Sequence, residues 1–269
     1  MSLHLDRISR LPAVMLWEWR RQRSLGRLIW LVALAAVPVV IMALRLWIYY
    51  EFQEEGSGPV AVREEYAAFF HGLMVRVVLF FGCLTLFLGG IRGEVERRTL
   101  HHLYLAPLPR WMIVQGKYLS SVLVAWLLFG ASTLASWLLA QVPGGLGRAL
   151  EAGGLAEIGT YLAMTFLGSM AYGALFLVVG TLLPSPGWIV AVLFFWEWVQ
   201  FLLPPVLKQL SVTHYLNQLT PIPVSEGPFA ILSEPEPAAF TVAKLLLYCF
   251  VATSLAAWSV RRAELDYGK

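Results

Sequence analysis

Few side chains in this sequence could do chemistry, and they are scattered. The five histidines are His4, His71, His101, His102 and His214, and no H-E-x-x-H or comparable spacing gathers any of them into a zinc site. Glu94, Glu96, His101 and His102 come nearest to a metal-binding set. They match no ligand pattern, so neither a metal nor a catalytic residue is expected. Cys83 and Cys249 both fall in apolar stretches, which implies no disulfide framework. No phosphate-cradling G-x-x-x-x-G-K-[ST] loop occurs, because Gln115-Gly116-Lys117-Tyr118 lacks the leading glycine and the hydroxyl. More informative are charges set inside apolar sequence. Arg76 and Glu197 lie near the middle of two such segments, where an ionised group costs roughly 2.5–3.5 kcal/mol by insertion scales. They are expected either to form a buried ion pair or to mark a polar patch in a translocation path. The aromatic run around Glu197, with Phe195 and Trp196 in it, suits a wall of that path for an amphiphilic cargo, although such runs more often just pack or face lipid. Arg45 and Lys244 lie nearer the ends of their segments, within snorkelling reach of an interface.

The elements that must position these residues are membrane helices. Hydrophobic residues make up 58% of the 269 and charged ones only 14%, against roughly 25% charged in soluble domains; the mean hydropathy is +0.67. A crossing helix needs about 20 mostly apolar residues. Six stretches qualify: 28–50, 67–90, 118–141, 158–183, 188–207 and 238–260. The fifth is short, with Pro204-Pro205 breaking one end. Lys and Arg fix the orientation. Fourteen lie at the termini or in 91–117, from Arg7 to Lys269, against Arg63, Arg148 and Lys208 in the alternate loops. Both termini and 91–117 are therefore expected on the cytoplasmic side of an inner membrane. The outer loop 208–237, proline-rich with apolar patches, is expected to fold back into the outer leaflet as short helices. Residues 1–27 carry Leu11, Met15 and Trp19 at helical spacing, followed by Arg20, Arg21 and Arg23, which reads as a helix lying in the membrane surface. The first long apolar run follows this basic segment without a small-residue cleavage site, so a cleavable signal peptide is not expected. The net charge of +3 gives no reason to expect nucleic acid.

The longest polar interruption is Ile91–Lys117. Leu100, Leu103 and Tyr104 give it one apolar helical edge, Ala106-Pro107-Leu108-Pro109 ends that helix, and Pro109 can open the next. The pattern Glu94-x-Glu96-x-x-Thr99-Leu100-x-x-Leu103-x-x-x-Pro107, followed by Val114-x-Gly116-Lys117, resembles that of the type-2 permeases of ATP-binding-cassette (ABC) exporters. Arg98 and His101 stand where that family usually has Gly and often has Glu. The helix around Glu18, Arg20 and Arg21 resembles the family's N-terminal interface helix, and Leu219-Thr220-Pro221 resembles its outer re-entrant region.

The resemblance implies an all-α, six-span permease working with a second copy of itself or a related permease and with two separate ATPase subunits. ATP and Mg belong to those subunits, and this chain binds no cofactor. It implies that Glu94, Glu96, Arg97, Thr99, Leu100, Leu103 and Pro107 form a coupling helix, with Leu100 and Leu103 in the ATPase groove. It also implies that the first and fifth helices line the dimer seam and the substrate passage. A small dimeric secondary transporter without an ATPase partner is the alternative, and nothing in the sequence picks the cargo.

Overall fold

The computed structural model describes residues 25–51, 59–88, 110–145, 147, 151–183, 187–222 and 236–262. Among the described residues every regular element is helical. The chain is a multi-pass membrane protein by its helices: among the described residues five are long and apolar enough to cross, Gly26–Glu51, Val62–Leu88, Trp111–Gly144, Gly153–Leu182 and Ala238–Val260. The expected interface helix with Glu18, Arg20 and Arg21 lies outside the described residues, as do Glu94 through Pro107.

Helix α1 (Leu25–Glu51) carries Pro38 inside it. Helix α2 starts as Pro59–Phe69, widens into a π-helical stretch at Phe70–Leu79, tightens at Phe80–Cys83 and widens again at Leu84–Leu88. The sequence gives a reason for the alternation. Buried pairs recur every four residues, at Phe70/His71, Met74/Val75, Val78/Leu79, Gly82/Cys83 and Leu86/Phe87. A 3.6-residue turn would rotate such pairs off one face, and wider turns interspersed along the helix keep them aligned.

Helix α3 (Arg110–Gln141) begins eight residues before the expected span. Arg110–Lys117, the end of the polar interruption, is therefore the opening of α3. Met112, Ile113 and Val114 are already buried there. At 32 residues the helix is about 48 Å long, so it outruns a hydrocarbon layer of roughly 30 Å. Helix α4 (Ala152–Leu182) is the hub, with α2, α3 and the last long helix, α8 (Ala238–Arg262), all packed on it.

The fifth expected span is not a single helix. Helix α5 (Gly187–Val199) passes into a 3-10 turn at Gln200–Leu202 and stops. Leu203 and Pro204 are extended, because the residue before a proline is pushed out of helical geometry. Thirteen α-helical residues reach only about 20 Å, short of the hydrocarbon thickness. Two short helices follow, α6 (Pro205–Lys208) and α7 (Val212–Gln218). Folding of the 208–237 loop into short helices is thus seen at α7.

In lipid the hydrophobic effect does not drive helix against helix, so close packing and polar ties carry the association. Ser169-x-x-x-Gly173 on α4 supplies both. Gly173 lets the Phe87 ring lie where a β-carbon would be 2.4 Å from it, and the Ser169 carbonyl accepts from Cys83 Sγ at 3.8 Å. Tyr66 of α2 donates to the Thr133 carbonyl of α3 at 3.1 Å, and Thr133 meets Thr165 of α4 at 3.1 Å. Ser132 of α3 ties the Ala35 carbonyl of α1 at 2.5 Å.

Candidate functional site

Helix α4 serves as a ruler for depth. Arg63 and Glu157 pair at its Ala152 end, while Ser259 of α8 reaches the Thr181 carbonyl at its other end. Tyr172 lies between, about 30 Å from Ala152 and about 15 Å from Leu182 along the axis. Helix α5 climbs from the Leu182 end and delivers Glu197 to the Tyr172 hydroxyl at 3.3 Å. Helix α7 starts at that same level and continues toward the Ala152 end. Its Leu216 lies against Gly168 together with Leu79, and Thr220 beyond it meets His71 of α2. Gln218 then accepts from Thr241 near the start of α8 at 3.0 Å. The distance that one helix was expected to span is covered in two pieces, joined at Glu197.

The joint is built from the carboxylate outward. Glu197 is 2% exposed. Its Oε1 accepts the Val212 amide N–H at 3.1 Å. Its Oε2 accepts the Thr213 amide at 3.0 Å, the Ser211 hydroxyl at 2.8 Å and the Tyr172 hydroxyl. Val212 and Thr213 are the first residues of α7, whose leading N–H groups have no partner within the helix. Ser211 is its N-cap, with Oγ accepting from the His214 amide at 3.4 Å. A buried carboxylate and a buried helix start, each costly alone, satisfy one another, and the positive end of the helix dipole favours the negative charge.

Arg76 is not the counter-ion. It takes no part in the ion pairs among the described residues, which are Arg45–Glu65, Arg63–Glu157 and Lys244–Glu236. Its guanidinium lies over the Trp198 ring, 5.4 Å from the centroid, and its buried Nε has no acceptor among the described residues. The two mid-membrane charges therefore form no pair, because successive α5 residues turn Glu197 inward and Trp198 outward. Phe195 is exposed and Trp196 half-buried, so neither shares the fully buried face of Glu197.

Arg45 pairs with Glu65 of α2 and lines a cavity of about 70 Å³ with Met42, Val62 and Ala140. Lys244 holds Glu236 at 2.7 Å and lies 4.5 Å from the Phe240 ring centroid. Both cations are thus paired near helix ends, as snorkelling residues are. No group of three or more His, Cys, Asp or Glu side chains converges as a metal site among the described residues.

No family model and no curated protein matches the chain. The arrangement that sequence reasoning missed is the Glu197–Ser211–Thr213–Tyr172 joint. The available signal was Ser211, a strong N-cap residue ahead of Val212 and His214, lying a short loop beyond a carboxylate with no basic neighbour in its own helix.

Proposed function

We propose that this chain is the membrane-spanning permease subunit of an ATP-driven exporter of the type-2 ABC class, paired with a second permease and two separate ATPase subunits. The observation that carries this reading is the pattern Glu94-x-Glu96-x-x-Thr99-Leu100-x-x-Leu103-x-x-x-Pro107, immediately ahead of α3. Arg110–Lys117 runs on into that helix without interruption. A push delivered at the segment by a closing ATPase pair would reach the centre of the bundle through one stiff rod, as rigid-body movement. Leu100 and Leu103 supply the apolar contacts with the ATPase groove, Glu94, Glu96 and Arg97 the polar ones, and Pro107 the elbow. The split fifth element, with Leu219-Thr220-Pro221 just beyond α7, supports the same class. In this reading the chain makes six passages, counting α5 and α7 as one, and both termini are cytoplasmic.

The test is capture of an ABC-type ATPase encoded beside this chain. Wild-type protein in detergent should retain it, and a Leu100→Glu/Leu103→Glu double variant with unchanged melting should lose it. Transport by the purified chain alone, driven by an ion gradient without an ATPase, would instead establish a secondary transporter.

A further inference from the structure

Arg76 stands 17 residues from Pro59 and 12 from Leu88 on α2, near mid-membrane, and among the described residues no acidic group pairs with it. Glu197, the carboxylate at that depth, is turned away and fully engaged at the start of α7. Among the described acidic residues the rest lie at helix ends: Glu51, Glu64, Glu65, Glu151, Glu157 and Glu236. The acidic residues elsewhere in the sequence fall outside the apolar stretches. A second copy packed against this face would therefore bring no mid-depth carboxylate beyond its own Glu197, which is held at the start of its own α7. An unneutralised arginine at this depth is costly and marks a functional path by default. Here it is half-buried, on the face of α2 that also carries the half-buried Leu73, Val77 and Leu84. Beside it lies the exposed Trp198 of α5, with the exposed Phe195 one turn earlier on the same helix.

We infer that Arg76 binds the anionic phosphate headgroup of a membrane amphiphile drawn down to mid-depth, with Trp198 beneath the guanidinium and Phe195 offering an apolar ledge for the chains. Guanidinium groups hold phosphate through two parallel N–H donors, and the Trp198 ring, 5.4 Å away, gives the cation an aromatic neighbour. Bulk lipid headgroups stay at the interface, far from this level. A headgroup that reaches Arg76 has left its own leaflet surface, as cargo in transit must. The inference deepens the transport reading and rests on it for the word cargo, whereas binding itself needs no ATPase.

The test therefore uses the purified chain alone. Native mass spectrometry would compare phosphatidylglycerol with phosphatidylcholine of identical chains. Wild-type protein should prefer phosphatidylglycerol by tenfold or more, Arg76→Gln should abolish the preference, and Arg76→Lys, which keeps charge but loses the fork, should keep only part of it. Arg45→Gln and Lys244→Gln should leave it intact, since those cations are already paired. If Arg76→Gln does not fold, the Arg76→Lys loss against the two controls decides the matter. Equal binding of both lipids by wild type, or an Arg76→Lys protein identical to wild type, overturns the inference. So does loss of the preference with millimolar inorganic phosphate, which would assign the site to a free anion. Failure here with ATPase capture intact would leave the exporter reading standing with a different cargo, and the reverse would leave a lipid site without the engine.

Discussion

Replacing Glu197 with glutamine should release α7 from the bundle. The substitution keeps size and shape and changes only what the two terminal atoms can accept. In the native joint both are acceptors, Oε1 for the Val212 amide and Oε2 for Thr213, Ser211 and Tyr172. A glutamine can offer its oxygen to one side only; whichever way it turns, its NH2 faces a backbone N–H. One buried donor left unpaired costs about 1–3 kcal/mol. Removing the negative charge from the helix start adds up to about 2 kcal/mol. Opening of α7 should therefore become easier by roughly 1–5 kcal/mol, or about five- to several-thousand-fold in exchange rate at tenfold per 1.4 kcal/mol. Hydrogen exchange read on a peptide covering Val212–Gln218 measures this directly. Cys83 and Cys249, both buried, report global melting through a thiol-reactive dye. Ser211→Ala should show a smaller effect, about 1 kcal/mol. Exchange in Glu197→Gln within threefold of wild type would show that the carboxylate does not hold the joint together.

Three further outcomes follow from the same geometry. Gly173→Ala places a methyl against the Phe87 ring and should cost about 1–3 kcal/mol of stability; melting of the single variant and of Gly173→Ala/Phe87→Leu should show the second change relieving the first. Glu157, almost fully buried, is tied to Arg63 at 2.7 Å, so a double-mutant cycle of Glu157→Gln and Arg63→Gln should return a coupling of about 1–2 kcal/mol. Losing Arg63 alone should be the more damaging in pull-down of intact protein at elevated temperature, because it strands a buried carboxylate. Capture of an ATPase should fail for Leu100→Glu/Leu103→Glu while the melting temperature stays put.

The long helices were legible because a run of apolar residues has one reading when it is long enough: α1, α3, α4 and α8 all fall where hydropathy places them. The early start of α3 was less visible, since Arg110 and Lys117 read as solvated charge, yet Met112, Ile113 and Val114 between them are buried. The fifth segment misled for a different reason. Trp188 to Leu207 is apolar enough for a crossing, and only Pro204-Pro205 argued against one; hydropathy counts residues and does not see that a helix has stopped. Arg76 and Glu197 stand out in the sequence as charges inside apolar segments. Opposite signs at similar depth suggested a pair, but a carboxylate can also be satisfied by backbone amides. Those amides belong to a helix start fifteen and sixteen residues further on, a match that only the folded chain makes.

The widened turns of α2 have a mechanical consequence. A helix that alternates between loose and tight winding holds spare length without a kink, so it can change its winding while staying straight. If Phe70–Leu79 tightened to ordinary α geometry, everything beyond Leu79 would swivel about the helix axis, and the four-residue seam against α4 would slip out of register. Motion entering at Leu88 could thus be taken up as torsion in this one element, leaving the rods on either side of it unbent.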